Sequence, residues 1–250
     1  FRDVTSKAMI EILKEDFSLC EYLLTRFQGV NDPYIIQRLY GIVLGACLKR
    51  KQVNKEIFKS LAGYVYGKVF DCEKVYPDIL LRDYARLIIE RFVYEFPSEP
   101  IKFDSDKITP PYHSADIPEI EEQGYLNGNF EGGIYSIISS MKFEGMGMYG
   151  DFGRYVFQSA LSSFEVERKK IFNYAVYFVL HECGYEEKLF GEYDRNLGRY
   201  NYNRHNVAKL ERIGKKYQWI AMHNILARVS DNCAKVDRFE KKEEVFEGAW

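Results

Sequence analysis

The sequence has no apolar run that approaches the roughly 18 residues needed to span a bilayer. Cysteine is sparse, and no two cysteines form a C-x-x-C pair. The five cysteines are odd in number and widely spread, at Cys20, Cys47, Cys72, Cys183 and Cys233. This usage predicts reduced thiols in a cytoplasmic protein that has no membrane partner.

Complete catalytic motifs are also missing. Gly67-Lys68 and Gly214-Lys215 lack the upstream glycine of a phosphate-binding G-x-x-x-x-G-K-[ST] loop, and no G-x-S-x-G nucleophile elbow occurs. We therefore expect no ATP hydrolysis, no cofactor and, more generally, no enzymatic activity. A hydrolase whose site is assembled from residues distant in sequence stays open as an alternative.

Two short patterns meet near the middle of the chain. Gly145, Gly147 and Gly150 spell G-x-G-x-x-G, and Asp151-Phe152-Gly153 spells the metal-binding triplet of protein kinases. A dinucleotide fingerprint follows a strand, whereas the residues before Gly145 have helical periodicity. In kinases the two motifs lie far apart, and here they adjoin. We expect a tight turn before a helix capped by Asp151, with nucleotide binding as the alternative.

A metal site would have to use His181, Cys183, His223 and Cys233. Zinc ligands usually come in close pairs such as C-x-x-C or H-x-x-x-H. Residues 181 and 183 are two apart on a predicted helix and point to different sides. The pattern favours a core cysteine and a hydrogen-bonded histidine over a metal centre.

Apolar side chains recur at helical spacing along most of the chain, which predicts an all-α fold. In the first lobe, residues 1–97, four helices are predicted. They run from Thr5 or Ser6 to Phe27, from Pro33 to Leu48, from Asn54 past Val69, and from about Pro77 to Phe96. Asn31-Asp32-Pro33 is a strong start signal, because a capping side chain precedes a proline in the first turn.

The stretch 33–44 recurs 44 residues later, at 77–88. Identical pairs are Pro33/Pro77, Ile35/Ile79, Arg38/Arg82 and Tyr40/Tyr84. A period near 44 with helical patterning is typical of stacked helix-pair repeats, although a plain helical bundle stays open.

The first lobe resembles HEAT or armadillo repeats in three features. These are the Asp32-Pro33 start, the arginine at positions 38 and 82, and the small residue three positions after each arginine, Gly41 and Ala85. The resemblance implies that the arginine and aspartate connect neighbouring repeats and that the array binds a protein partner.

Five of the seven prolines lie at 97, 100, 110, 111 and 118, which predicts a linker or wrapping loop over residues 98–129. A second helical lobe is predicted over residues 130–250. Its central and most buried helix is expected at Glu167–Cys183. A loop is expected at Glu186–Asn206, and a long last helix from about Val207 to Asn232.

A basic and aromatic segment is the best functional signal. Seven cations stand against one acid, Glu211, between residues 195 and 216. Arginine binds phosphate, and exposed tyrosine stacks on bases or fills a partner's pocket. We predict that an anionic ligand or partner binds Arg195, Arg199, Arg204, Lys209, Arg212, Lys215, Lys216, Tyr200 and Tyr202. The alternative is that these cations pair with the acidic segment 98–131 of the same chain.

The stretches 147–161 and 211–232 resemble segments of large bacterial ATP-binding proteins of the STAND type, some of which act as antiphage sensors. Because the NTPase motifs are missing, the resemblance implies a sensor or repeat portion. Phe1 at the start and Trp250 at the end suggest a piece of a longer polypeptide, with a tag-cleaved full-length protein as the alternative.

The sequence therefore predicts a non-enzymatic scaffold or ligand-sensing segment of a larger intracellular bacterial protein, with a protein as its partner. A nucleic-acid-binding module that uses residues 195–216 is the alternative. Oligomeric state is not predicted.

Overall fold

The structure, a computed structural model, describes residues 2–52, 54–99, 103–120, 124–147, 150–202, 210–236 and 243–244. Within these ranges the regular structure is helical, apart from two short antiparallel strands, β1 Lys235–Val236 and β2 Glu243–Glu244. The predicted all-α fold is confirmed. The chain divides into two compact units between Ser114 and Ala115, and each unit is described by itself.

The described residues of unit 1 form five helices of nine or more residues and one short helix. They are α1 Arg2–Glu15, α2 Leu19–Phe27, α3 Pro33–Lys49, α4 Lys55–Val69, α5 Ile79–Glu95 and α6 Ser105–Ile108. The predicted caps are confirmed for α3 and α4, where Asp32 accepts from the Tyr34 N–H and Asn54 from the Glu56 N–H. Such caps satisfy backbone donors that a helix leaves unpaired at its start.

The core of unit 1 forms around α3, which packs against α1, α2 and α5. Phe58 of α4 lies in a row of edge-to-face rings, with its centroid 5.3 Å from that of Phe17 and 5.2 Å from that of Phe92. The Arg50 guanidinium sits 4.2 Å from the Phe58 ring centroid and pairs with Glu95 at 2.5 Å. Ring and cation contacts thus close the end of the core at which α3 ends.

The prediction of one helix from residue 5 to residue 27 is wrong. The chain turns at Asp16–Ser18, between α1 and α2, where the Ser18 hydroxyl donates to Asp16 Oδ1 at 2.6 Å. Short polar side chains that bond locally compete with the helical backbone. The turn also brings Phe17 into the core against Phe58.

The two stretches that match at a shift of 44 residues both lie at helix starts, and α3 packs against α5. Their registers differ, because Pro33 is the first residue of α3 whereas Pro77 precedes the N-cap Asp78 of α5. The Gln37 amide joins the two helices by donating to both carboxylate oxygens of Asp78, at 2.9 and 3.0 Å.

The two matching arginines have different surroundings. Arg38 is partly exposed and pairs with Asp3 of α1 at 3.1 Å. Arg82 is 1% exposed and donates to the carbonyl oxygens of Tyr76 and Val75, at 2.9 and 3.0 Å. The HEAT-like repeat character of unit 1 stays a prediction.

Unit 2 contains α7 Gly132–Met141, α8 Gln158–Ala160, α9 Arg168–Tyr177, α10 Glu192–Tyr202 and α11 Ile213–Asn232. Wider π-type turns at Gly153–Phe157, Phe178–Glu182 and Glu187–Gly191 adjoin α8, α9 and α10 respectively, and a 3-10 turn at Leu161–Ser163 follows α8. The helix expected after Asp151 is present as a continuous helical stretch over residues 151–163, whose geometry changes from π-type to α and then to 3-10.

Two further expectations for unit 2 are corrected. The segment predicted as a loop at 186–206 is helical as far as Tyr202, because the buried Leu197 and Asp194 anchor it despite its glycines. The long last helix begins at Ile213 rather than Val207 and ends at Asn232 as predicted. It carries more buried residues than the helix at 168–182 and contacts both α7 and α9, so α11 holds the central place.

The proline-rich segment 98–129 contributes to both units. Tyr112 is buried in unit 1, where its ring lies 5.6 Å from that of Phe70 and 4.9 Å from the Arg82 guanidinium. Ile117 is buried in unit 2. Tyr112 and Ile117 thus hold the segment against unit 1 and unit 2 respectively.

Candidate functional site

A polar cavity of about 260 Å³ lies in unit 2, between α7, α10 and the first turns of α11. Four of its lining side chains are positively charged and one is negatively charged. The lining comprises Gly133, Ser136, Ile137, Ser140, Asp194, Arg195, Gly198, Arg199, Arg212, Gly214, Lys215 and Gln218. We call this cavity the basic pocket.

Helix α10 supplies two of the cations. Arg195 and Arg199 are four residues apart, so they project from the same face one turn apart. The buried Leu197 fixes the opposite side of the helix in the core. The Arg195 guanidinium is 4.0 Å from Glu187 Oε1, a loose and solvent-exposed pair that leaves most of its charge available.

Asp194, the single carboxylate among the described lining residues, is bound at the start of α11. It is 6% exposed and accepts from the N–H groups of Ile213 and Gly214, both at 2.7 Å. The Tyr185 hydroxyl donates to the same carboxylate at 3.3 Å. Burial, and then the Asp194 charge, raise the pKa of Tyr185, so this donor stays protonated. The positive end of α11 offsets much of the Asp194 charge.

Glu187, which does not line the pocket, binds the start of α7 as Asp194 binds the start of α11. It accepts from the N–H groups of Gly133 and Ile134, at 2.7 and 3.2 Å. The segment 187–194 therefore caps two helices of the pocket with two acidic residues. These contacts fix α10, and with it the two arginines, against α7 and α11.

Helix α11 contributes Lys215 and, just before its first residue, Arg212. Lys215 Nζ is 3.8 Å from Asp151 and 4.5 Å from the Phe152 ring centroid. Partial burial lowers the pKa of Lys215, and the nearby Arg212 lowers it further, while Asp151 acts in the opposite direction. An anionic group in the pocket would relieve this repulsion between cations.

Neutral polar groups line the remaining wall. The buried Gln218 amide donates to the Ile137 carbonyl at 3.1 Å and contacts the Ser140 hydroxyl. The Ser136 hydroxyl donates to the Gly132 carbonyl at 3.0 Å. These hydroxyl and amide groups already donate to α7, so the cations are the lining side chains that are available to bind phosphate oxygens.

The structure brings four of the predicted site residues to one pocket: Arg195, Arg199, Arg212 and Lys215. Lys216 does not line it, and Tyr200 is exposed on another side of α10. Arg204, Lys209 and the Tyr202 side chain lie outside the described residues. Of the other aromatics in the segment, Tyr217 packs against Tyr185 and Phe190, and Trp219 packs against Phe152.

Sequence reasoning missed Ser136, Ser140, Asp194 and Gln218. They occupy three helices, and no spacing in the sequence joins residues 136–140 to 194 and 218. The one available signal was the negative charge of Asp194 beside Arg195, which could have indicated a helix cap. Because residues 186–206 were predicted to form a loop, this signal was not used.

The acidic segment 98–131 was the alternative partner for these cations. Asp116 and Glu119 lie near Lys170 instead, at 3.8 and 3.5 Å. Within the described ranges, the side chains of Arg199 and Arg212 form no ion pair. Arg195 and Lys215 face Glu187 and Asp151, which both lie outside that segment.

The glycine pattern at 145–150 follows helix α7 rather than a strand. Gly145 and Gly147 both have φ +87°, the left-handed region that favours glycine. Gly150 lies so close to α7 that a Cβ would come within 2.2 Å of Ser140 Cα. Gly145 and Gly147 thus lie in a turn that follows α7, and Gly150 packs against α7, while Met148 and Tyr149 lie outside the described residues.

The histidines and cysteines of unit 2 are dispersed. His181 lies 3.2 Å from the Tyr125 hydroxyl and stacks near Tyr177. His223 is buried near Trp219. In the part of the chain that the structure describes, no three His, Cys, Asp or Glu side chains are grouped closely enough to hold a metal ion.

Comparisons with protein-family models, with curated proteins and with solved structures found no match for this chain. None of the helices in the described residues is both long enough and apolar enough to cross a membrane.

Proposed function

We propose that unit 2 is a ligand-sensing module whose basic pocket binds a small phosphate-bearing molecule. The observation that carries the proposal is the convergence of Arg195, Arg199, Arg212 and Lys215 on one cavity. Among the described lining residues, the only carboxylate is already bound. Arginine forks and a lysine supply the charge-assisted hydrogen bonds that phosphate oxygens accept.

Binding without turnover agrees best with this set of residues. The described lining residues supply donors and positive charge, and they include no histidine, no cysteine and no further carboxylate, which are common catalytic bases and nucleophiles. We therefore propose a non-enzymatic sensor, and we place it in a larger intracellular bacterial protein, with unit 1 as a helical scaffold that contacts a protein partner.

Nucleic acid is the second candidate ligand, because Tyr193 and Tyr200 are exposed on the helix that carries Arg195 and Arg199. The two tyrosines and the two arginines lie on different faces of α10. With 3.6 residues per turn, Tyr193 and Tyr200 are each rotated by about 100° or more around the helix axis from the arginines. Tyr217 and Trp219 are engaged in packing. This arrangement favours a compact phosphate ligand over a strand of stacked bases.

Calorimetric titration of the 250-residue chain with pyrophosphate and with a twelve-residue thymidine oligonucleotide, both at low salt, tests the proposal. We expect saturable 1:1 binding of pyrophosphate, and a loss of about tenfold in affinity on Arg199→Gln, because charge-assisted hydrogen bonds are the strong ones.

Arg168→Gln is the matched control, because Arg168 is an exposed arginine of the same unit that does not line the basic pocket. It should leave pyrophosphate affinity unchanged. If only the oligonucleotide binds, nucleic acid rather than a small phosphate-bearing molecule is the favoured ligand. If neither ligand binds, the proposal is refuted.

A further inference from the structure

Unit 1 contains a larger cavity, of about 490 Å³, at the end of the unit where α3 begins and α4 ends. Its walls come from the segment between α2 and α3, from the last turns of α4 and from the segment between α4 and α5. Six aliphatic side chains form most of the floor: Leu24, Val30, Ile36, Leu39, Val69 and Leu81. Ligand pockets typically have volumes of roughly 300–1,000 Å³ and mostly apolar walls.

One polar group that faces this cavity has no hydrogen bond to the part of the chain that the structure describes. Tyr40 is 6% exposed and lines the cavity, and none of the residues that the structure describes hydrogen-bonds to its hydroxyl. Burial raises the pKa of Tyr40, so the hydroxyl is a neutral donor. A ligand with an acceptor oxygen would satisfy it.

The charge at the cavity is positive. Lys68 and Lys74 lie at its edge, and in the described part of the chain neither side chain forms an ion pair. Lys68 Nζ lies 5.8 Å from the ring centroid of Tyr64, another lining residue. Asp32, the one carboxylate among the lining residues that the structure describes, accepts from the Tyr34 N–H as the cap of α3. An anionic group is therefore favoured beside the two lysines.

We propose that this cavity binds a small amphipathic monocarboxylate, whose hydrocarbon body lies on the aliphatic floor and whose carboxylate lies between the lysines and Tyr40. The site belongs to unit 1 alone and does not depend on the basic pocket of unit 2. A purely apolar ligand would leave the Tyr40 hydroxyl and the lysine charges unused, and a purely ionic ligand would leave the floor unfilled.

Calorimetric titration of the whole chain with decanoate below its micelle concentration tests the proposal, with 1-decanol and acetate as the probes that lack the charge and the chain. We expect saturable 1:1 binding of decanoate, weaker binding of decanol and none of acetate. Lys68→Gln combined with Lys74→Gln should weaken decanoate binding about fivefold, in line with exposed charge pairs, and leave decanol binding unchanged.

Two further variants test the interior. Tyr40→Phe keeps the ring and should weaken decanoate binding about fivefold through the lost hydrogen bond. Val30→Trp places a large ring in the cavity and should abolish binding. The controls are Tyr22→Phe, an exposed tyrosine of α2, and the pair Lys7→Gln and Lys51→Gln, which removes equal charge elsewhere.

Circular dichroism melting checks that each variant is folded. The double lysine variant alters only exposed side chains and should stay folded. It therefore tests whether decanoate binds beside the two lysines even if an interior variant unfolds. The proposal is overturned if decanoate shows no saturable binding or if decanol and decanoate bind with equal affinity. It is also overturned if the Lys68→Gln, Lys74→Gln variant and its control, Lys7→Gln with Lys51→Gln, change decanoate affinity equally.

Discussion

Asp194 is the residue on which the geometry of the basic pocket most depends. Its buried carboxylate accepts from two N–H groups of α11 and from Tyr185. Asp194→Ala should lower the free energy of unfolding by about 1–3 kcal/mol, the usual cost of losing a cap and of leaving buried donors unpaired. Urea unfolding followed by circular dichroism measures the change.

Glu192→Ala is the matched control, because Glu192 is an exposed acid in the first turn of the same helix. Its effect should stay within about 0.5 kcal/mol, as for most surface substitutions. Equal losses in the two variants would show that the Asp194 contacts do not stabilise unit 2.

Two glycines should respond to alanine in opposite directions. A Cβ at Gly214 would lie 2.9 Å from Ile137 Cδ1 and 3.0 Å from Asp194 Oδ2, whereas a Cβ at Gly63 would meet nothing within 4 Å. Gly214→Ala should therefore destabilise the protein by about 1–3 kcal/mol through overpacking. Gly63→Ala should stabilise it by about 0.5–1 kcal/mol through helix propensity.

Urea midpoints of the two glycine variants, compared with that of the unchanged chain, test this pair. A stabilising Gly214→Ala would mean that α7 and α11 are not in the close contact described here. A destabilising Gly63→Ala would mean that α4 is not exposed at this position.

At the scale of elements, an ion pair connects α1 to α3. Glu11 accepts from Lys49 of α3 at 2.9 Å and pairs with Lys14 of its own helix. The Lys14 contact, and then the Lys49 contact, lower the pKa of Glu11 from 4.5 to about 2. Because the pKa is lower in the folded state, the pair stabilises the fold above pH 4.5 and loses this effect as the pH falls towards about 2.

Glu11→Gln should consequently melt at a lower temperature than the unchanged chain at pH 7, and the difference should narrow below pH 4.5. Thermal melts from pH 7 to pH 3 measure it, with Glu73→Gln, an exposed acid in the α4–α5 segment, as control. A difference that stays constant over this range would contradict the assignment.

The elements that the sequence predicted correctly have local signals. Asp32-Pro33 and Asn54 mark the starts of α3 and α4, and apolar periodicity gives their length, so α3 ends at Lys49 within one residue of the prediction. The turn at Phe17 and helix α10 were missed because long-range contacts determine them. Phe17 packs on Phe58 of α4, and Asp194 binds the start of α11.

At the scale of the whole molecule, the candidate site was only half predictable. The basic run between 195 and 216 was visible in the sequence, but a run does not indicate which of its cations converge. Packing selects Arg195, Arg199, Arg212 and Lys215 and adds polar groups from α7. The repeat character of unit 1 stays open for a related reason, since Arg38 and Arg82 match in sequence and differ in burial.

Adjacent lysines allow the central claim to be tested directly. Lys215 lines the basic pocket and its neighbour Lys216 does not, although both belong to the same basic run. Pyrophosphate affinities of Lys215→Gln and Lys216→Gln should therefore differ, with the first about fivefold weaker than the unchanged chain and the second within about twofold of it. Equal affinities in the two variants would contradict the account, because the charge of the run alone, rather than the pocket, would then hold the anion.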